Sequence, residues 1–139
     1  MVKISAHCLI QGDSFSPSVA EKLSNIVFVE KNEPGSIGNN GRYKGIPVPY
    51  GSATLEVETL QNDSNGIDAL INTLKECIVK LRQAGADDII LHCDVFYEDQ
   101  CNFELAVHQI VAMAQMKIPM TISCYNDRVW HPVKSRSKR

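Results

Sequence analysis

Asp87-Asp88-Ile89-Ile90-Leu91-His92-Cys93-Asp94-Val95-Phe96-Tyr97 is the stretch on which the reading of the fold turns. It is short, apolar in its first half, rich in residues that favour a pleated backbone, and has a helical pattern on either side. It is therefore expected to be the central strand of one mixed sheet. Before it, Ile67, Leu70, Ile71, Leu74, Ile78 and Leu81 recur at the 3–4 spacing of a helix with one buried stripe. Glu76 stands four residues before Lys80, and Gly85 supplies a left-handed stop. The polar run Asn62-Asp63-Ser64-Asn65-Gly66 reads as the turn that starts this helix. After the strand, Asn102 is expected to cap a helix over residues 103–117, ended by Pro119. Glu104, His108, Gln109 and Gln115 are its few polar residues, so it should be covered on most sides. Residues 120–125 make a last strand.

The amino-terminal half follows the same rules. Val2, Ile4, Ala6, Cys8 and Ile10 alternate with Lys3, Ser5 and His7, which predicts a strand with one buried face. Ser16-Pro17 reads as the N-cap and first residue of a short helix setting Val19, Leu23 and Ile26 inward. Residues 27–29 and 53–58 are expected as strands, Leu55 and Val57 pointing inward. Between them, residues 31–52 hold five of the eight glycines and three of the six prolines. That composition predicts a long loop or irregular hairpin.

The order is strand, helix, strand, strand, helix, strand, helix, strand. It defines an α+β fold, a mixed sheet with helices on one face: a ferredoxin-like split βαβ core with an appended helix and strand. The first strand and the central strand are expected to be parallel neighbours. Cys8, Cys93 and Cys124 should point into the core. The open face should show Ser5, His7, Thr54, Glu56, Glu58, His92, Asp94, Thr121, Ser123 and Tyr125. At 139 residues the chain reads as one domain over residues 1–127 with a basic tail over 128–139, Trp130 folding back onto the body.

Charge and cysteine usage narrow the function classes. No apolar run reaches the ~20 residues that span a membrane, and residues 1–7 lack the apolar core of a signal peptide. A cytoplasmic protein is expected. Five scattered cysteines without a C-x-x-C pair suit reduced thiols rather than a disulfide framework. The tail takes five of the 14 bases and no acid, so residues 1–127 set nine bases against all 16 acids. From Gln83 to Met116 there is no Lys or Arg, while Asp87, Asp88, Asp94, Glu98, Asp99 and Glu104 fall there. An acidic body repels nucleic acid and attracts basic partners, so no direct nucleic-acid binding is expected.

No catalytic motif stands out. His7 and His92 are expected as cross-strand neighbours with Asp94 on the same face, two imidazoles and a carboxylate that suffice to ligate zinc or iron. Solvated polar residues on an open face explain the same pattern. Cys101 with His108 would make a nucleophile and base, but nothing orients them. Gly35, Gly38, Gly41 and Gly45 with Arg42 and Lys44 invite comparison with a phosphate cradle, without matching a P-loop. Tyr97, Glu98 and Asp99 at the strand end, with Asp94 and Glu104, form the acidic rim expected to bind a partner.

The strand ending in Gly12-Asp13-Ser14-Phe15-Ser16-Pro17 and the short helix after it resemble the start of a small bacterial domain family of unknown function. The closing helix and Ile118-Pro119-Met120-Thr121-Ile122-Ser123-Cys124-Tyr125 are similar to that family's end. In size and acidity the chain also resembles the immunity proteins of bacterial polymorphic and contact-dependent toxin systems. That likeness implies a non-enzymatic protein that binds and neutralises a cognate basic toxin, such as a nuclease, with no catalytic residue, metal or cofactor. Two alternatives stand beside it. One is a small enzyme or metal-binding protein using His7, His92 and Asp94; the other is a homodimeric structural module whose sheet faces pair.

Overall fold

The computed structural model describes residues 2–58 and 65–127. Five strands and three helices alternate as β1 (Val2–Gly12), α1 (Pro17–Ser24), β2 (Glu30–Asn32), β3 (Gly51–Leu55), α2 (Asp68–Gln83), β4 (Asp88–Tyr97), α3 (Val107–Met116) and β5 (Met120–Asn126). The strands form one sheet in the order β2-β3-β1-β4-β5. The first four run antiparallel to their neighbours, and β5 lies parallel to β4. The fold is thus α+β, two interleaved split βαβ units with a third helix and strand appended.

The expected parallel pairing of β1 and β4 is corrected by this topology. They are neighbours, Val2 opposite Tyr97 and Gln11 opposite Asp88, but antiparallel. The chain returns through α1 to lay β2 parallel to β1, and the β2–β3 pair then reverses it. The crossover through α2 places β4 parallel to β3 on the far side of β1, so β4 must run against β1. It follows that β1, not β4, occupies the middle of the sheet.

Alternation puts Cys8 and Ile10 of β1, Ala53 and Leu55 of β3, and Ile89, Leu91, Cys93 and Val95 of β4 on the helix side, all buried. From α2, Leu70, Ile71, Leu74, Cys77, Ile78 and Leu81 meet them. Burying each such aliphatic side chain contributes roughly 1.5–3 kcal/mol. Phe15, fully buried in the β1–α1 connection, meets Phe28 edge-on with ring centroids 6.4 Å apart. Gly85 ends α2 at φ +103, as a left-handed stop requires, and a Cβ there would run into the Ser14 carbonyl.

Several boundaries differ from the pattern. The apolar run 27–29 is not a strand: the Phe28 N–H donates to Glu21 Oε2 at 3.0 Å, and Val27 and Val29 are exposed. The edge strand is the polar Glu30–Asn32 instead, pairing Glu30 with Thr54 and Asn32 with Ser52. Such an edge discourages pairing with other chains. The third strand ends at Leu55, so Glu56 and Glu58 lie beyond the sheet. Ser16 caps α1 and Pro17 opens it as expected, but the helix seats on Pro17 and the small Ala20, leaving Val19 and Leu23 exposed.

The last helix begins at Val107, four residues later than the pattern suggests. Asn102 donates to Gln100 Oε1 rather than capping, and Gln109 Oε1 accepts the Ala106 N–H at the true helix start. Nor is α3 covered on most sides: Val107 is 76% exposed, and Ile110 and Val111 are exposed too. Cys124 is exposed on the edge strand β5 instead of reaching the core. The expected turn at residues 62–64, the fold-back of Trp130 and the basic tail 128–139 lie outside the described residues. Among the described residues no helix is long and apolar enough to cross a membrane.

Candidate functional site

The sheet face turned away from the helices is built in rungs by the register of β1, β4 and β5. One rung aligns His7, His92 and Thr121, the next Ser5, Asp94 and Ser123, and the next Lys3, Phe96 and Tyr125. The juxtaposition of His7, His92 and Asp94 expected from alternation is therefore present. The two imidazole centroids lie 5.2 Å apart, their planes tilted by 57°. His92 Nδ1 meets Thr121 Oγ1 at 2.5 Å, and its Nε2 meets Asp94 Oδ1 at 3.1 Å. With Nε2–H donating to the carboxylate, Nδ1 accepts from the threonine hydroxyl, and the neutral ring is satisfied on both sides.

That arrangement decides what the cluster can do. A histidine ligand must offer one ring nitrogen to the metal, and both nitrogens of His92 are engaged within the protein. Among the described residues, no group of three or more His, Cys, Asp or Glu side chains is placed to hold a metal ion. One rung further, Phe96 and Tyr125 stack with centroids 5.3 Å apart and planes at 22°.

Around the face lie shallow hollows. One of about 280 Å³ rests on Leu9, Thr54 and Ile90 and is walled by Glu30, Lys31 and Asn32. Another of about 350 Å³ lies between β2 and the glycine-rich segment, against Asn39, Asn40, Tyr43 and Tyr50. That segment is an irregular hairpin with a 3₁₀ turn at Gly41–Tyr43. Its amides are largely spent on itself: Gly35 N–H donates to Val48 O, Gly38 N–H to Ile46 O and Gly45 N–H to Gly38 O. Arg42 lies over the Tyr43 ring, 5.6 Å from its centroid. A cradle for an anion needs amides turned outward, and these three are not.

The five residues of the acidic rim do not share one surface. Asp94 belongs to the open face, tied to His92, and Tyr97, three residues on, projects to the opposite side. Glu98, Asp99 and Glu104 are exposed at the end of the sheet where β4 leaves it. Asp99 and Glu104 border two hollows that share Val2 and Asn102. Asp87 and Asp88 stand at the other end of β4, about 30 Å away at ~3.3 Å per residue. The acids of the interval 83–116 thus stand at three places, the two ends of β4 and, for Asp94, the open face between them, rather than in one continuous patch.

Cys101 and His108 are not brought together. His108 Nε2 meets Asp68 Oδ1 at 2.9 Å, while Cys101 Sγ lies against Cys124 Sγ. The pattern also leaves out a buried network that joins the starts of α2 and α3. Asn65 and Gln109, both buried, exchange two side-chain hydrogen bonds of 2.7 and 2.8 Å, and Gln109 Nε2 also donates to Asp68 Oδ1. The Gln109 and His108 hydrogen bonds hold the Asp68 carboxyl below its ordinary range. A histidine and glutamine side by side in a largely apolar stretch were the available signal.

Compared with family models, curated proteins and solved structures, the chain finds no match.

Proposed function

We propose that this is a non-enzymatic binding protein, an immunity protein that sits in the cytoplasm and neutralises a cognate basic toxin domain, such as a nuclease. The observation that carries the reading is the exposed carboxylate group Glu98, Asp99 and Glu104 at one end of the sheet, in an interval free of Lys and Arg. A nuclease holds phosphates in a positively charged cleft, and carboxylates presented where the chain leaves β4 can occupy that field in their place. The engagement of both His92 nitrogens argues against the alternative in which the open face binds a catalytic metal.

Protection is the direct test. Co-expression with a cognate basic toxin domain should restore growth, and the purified pair should elute as one complex. Growth arrest undiminished by co-expression, with the two proteins eluting separately, would remove the immunity reading.

A further inference from the structure

The five cysteines divide into two sets. Cys8, Cys77 and Cys93 are buried. Burial pushes their thiols up, Cys8 to about 12 and Cys77 and Cys93 to about 11, so little reactive thiolate forms on them. Cys101 and Cys124 are placed otherwise. Cys124 is exposed on the edge strand β5, and Cys101 is partly exposed in the connection from β4 to α3. Their sulfurs stand 3.5 Å apart. No helix or strand holds residues 101–106, so Cys101 can cover the ~1.5 Å separating this contact from a bond of about 2.05 Å.

We propose that Cys101 and Cys124 form a redox-active dithiol that closes to an intramolecular disulfide on reaction with a hydroperoxide. The Cys101 thiol is held up first by its desolvation and then by the hydrogen bond it donates to Cys124 Sγ. Cys124, exposed and accepting that hydrogen bond, is the sulfur that meets the oxidant. Its thiolate attacks one oxygen of hydrogen peroxide, the O–O bond breaks, and the leaving hydroxide takes up a proton as water. The resulting sulfenic acid is attacked by Cys101, whose proton leaves with the sulfenic oxygen as a second water while the S–S bond forms. Two thiols give up two electrons and two protons, and the peroxide is reduced to two waters. The closed bond ties the segment bearing Glu104 to β5, so the state of the pair sets how freely that acidic end of the sheet can move.

The experiment uses the full chain, fully reduced and then treated with one equivalent of hydrogen peroxide. Thiols titrated in denaturant should number five before treatment and three after it. Peptide mapping should then show the Cys101 and Cys124 peptides joined with loss of two hydrogens, and dithiothreitol should separate them. A Cys101→Ser variant should instead accumulate sulfenic acid on Cys124 that dimedone traps. Retention of all five thiols, a Cys124–Cys124 bridge between two chains, or equal reaction at the buried cysteines would each overturn the proposal.

Discussion

Side chains that strand alternation places were readable in advance, and side chains placed by a partner from a distant element were not. His7, His92 and Asp94 share a face because successive residues of a strand point to opposite sides. What His92 does with its two nitrogens depends on Thr121, 29 residues away on β5, and alternation within one strand cannot supply that. Asp68 teaches the same lesson. Its position as the first residue of α2 suits the helix dipole, but its hydrogen bonds come from Gln109 and His108 on α3. These lower its pKa in the folded state, so the unfolded state binds the proton more readily. The associated stability is present above the ordinary aspartate value of 3.8 and is lost as pH falls through the lower folded value. Urea-denaturation midpoints followed into acid should therefore fall more steeply for the native protein than for Asp68→Asn. Parallel acid limbs would show that this carboxylate is not coupled to folding.

At the scale of elements, α2 was the most legible because its apolar stripe, turn and glycine stop all agree, and agreement across levels marks a well-specified segment. Leu74 is fully buried at the centre of that stripe, facing the sheet. Replacing it with alanine should cost about 2–5 kcal/mol, the range for removing a buried leucine side chain. Chemical denaturation measures this, and a change below ~0.5 kcal/mol, typical of surface positions, would mean the stripe is not in the core. The elements that went astray were those in which composition and geometry part company. Residues 27–29 are apolar enough for a strand, but Glu21 takes the Phe28 N–H, and only Phe28 of the three turns inward. The last helix has apolar residues on several sides and an N-cap, Ala106, with no side chain that can cap, so neither its first residue nor its buried face could be read from spacing. Strand direction was lost for another reason: the split βαβ arrangement read from the element order already sets β4 against β1, and the parallel expectation did not follow from it.

Across the whole molecule, charge was legible as an amount and not as a distribution. The interval 83–116 reads as one acidic block, yet β4 keeps its acids apart, Asp88 at one end of the sheet, Asp94 midway on the open face and Glu98 with Asp99 just past the other end. The separation of about 30 Å exceeds the ~8 Å screening length at physiological salt. The two ends therefore act on a charged partner independently, which turns the fold into its own control. If the sheet end at Glu98 and Asp99 receives a basic partner, reversing both to lysine should slow association and flatten its dependence on ionic strength. Exposed charges at the margin of a contact mainly steer encounter, while a carboxylate desolvated against a cation also sets the dissociation rate and is worth roughly 2–5 kcal/mol. The single reversal Asp88→Lys, at the far end, should leave both rates near those of the native protein, and Glu98→Lys alone should already slow association. Circular dichroism of each variant checks that the fold survives, as expected for exposed positions. Association rates measured at two salt concentrations decide between the two ends. Equal rates and equal salt slopes for the native protein and the Glu98→Lys/Asp99→Lys pair would move the contact away from this end of the sheet, to the open face or the glycine-rich hairpin.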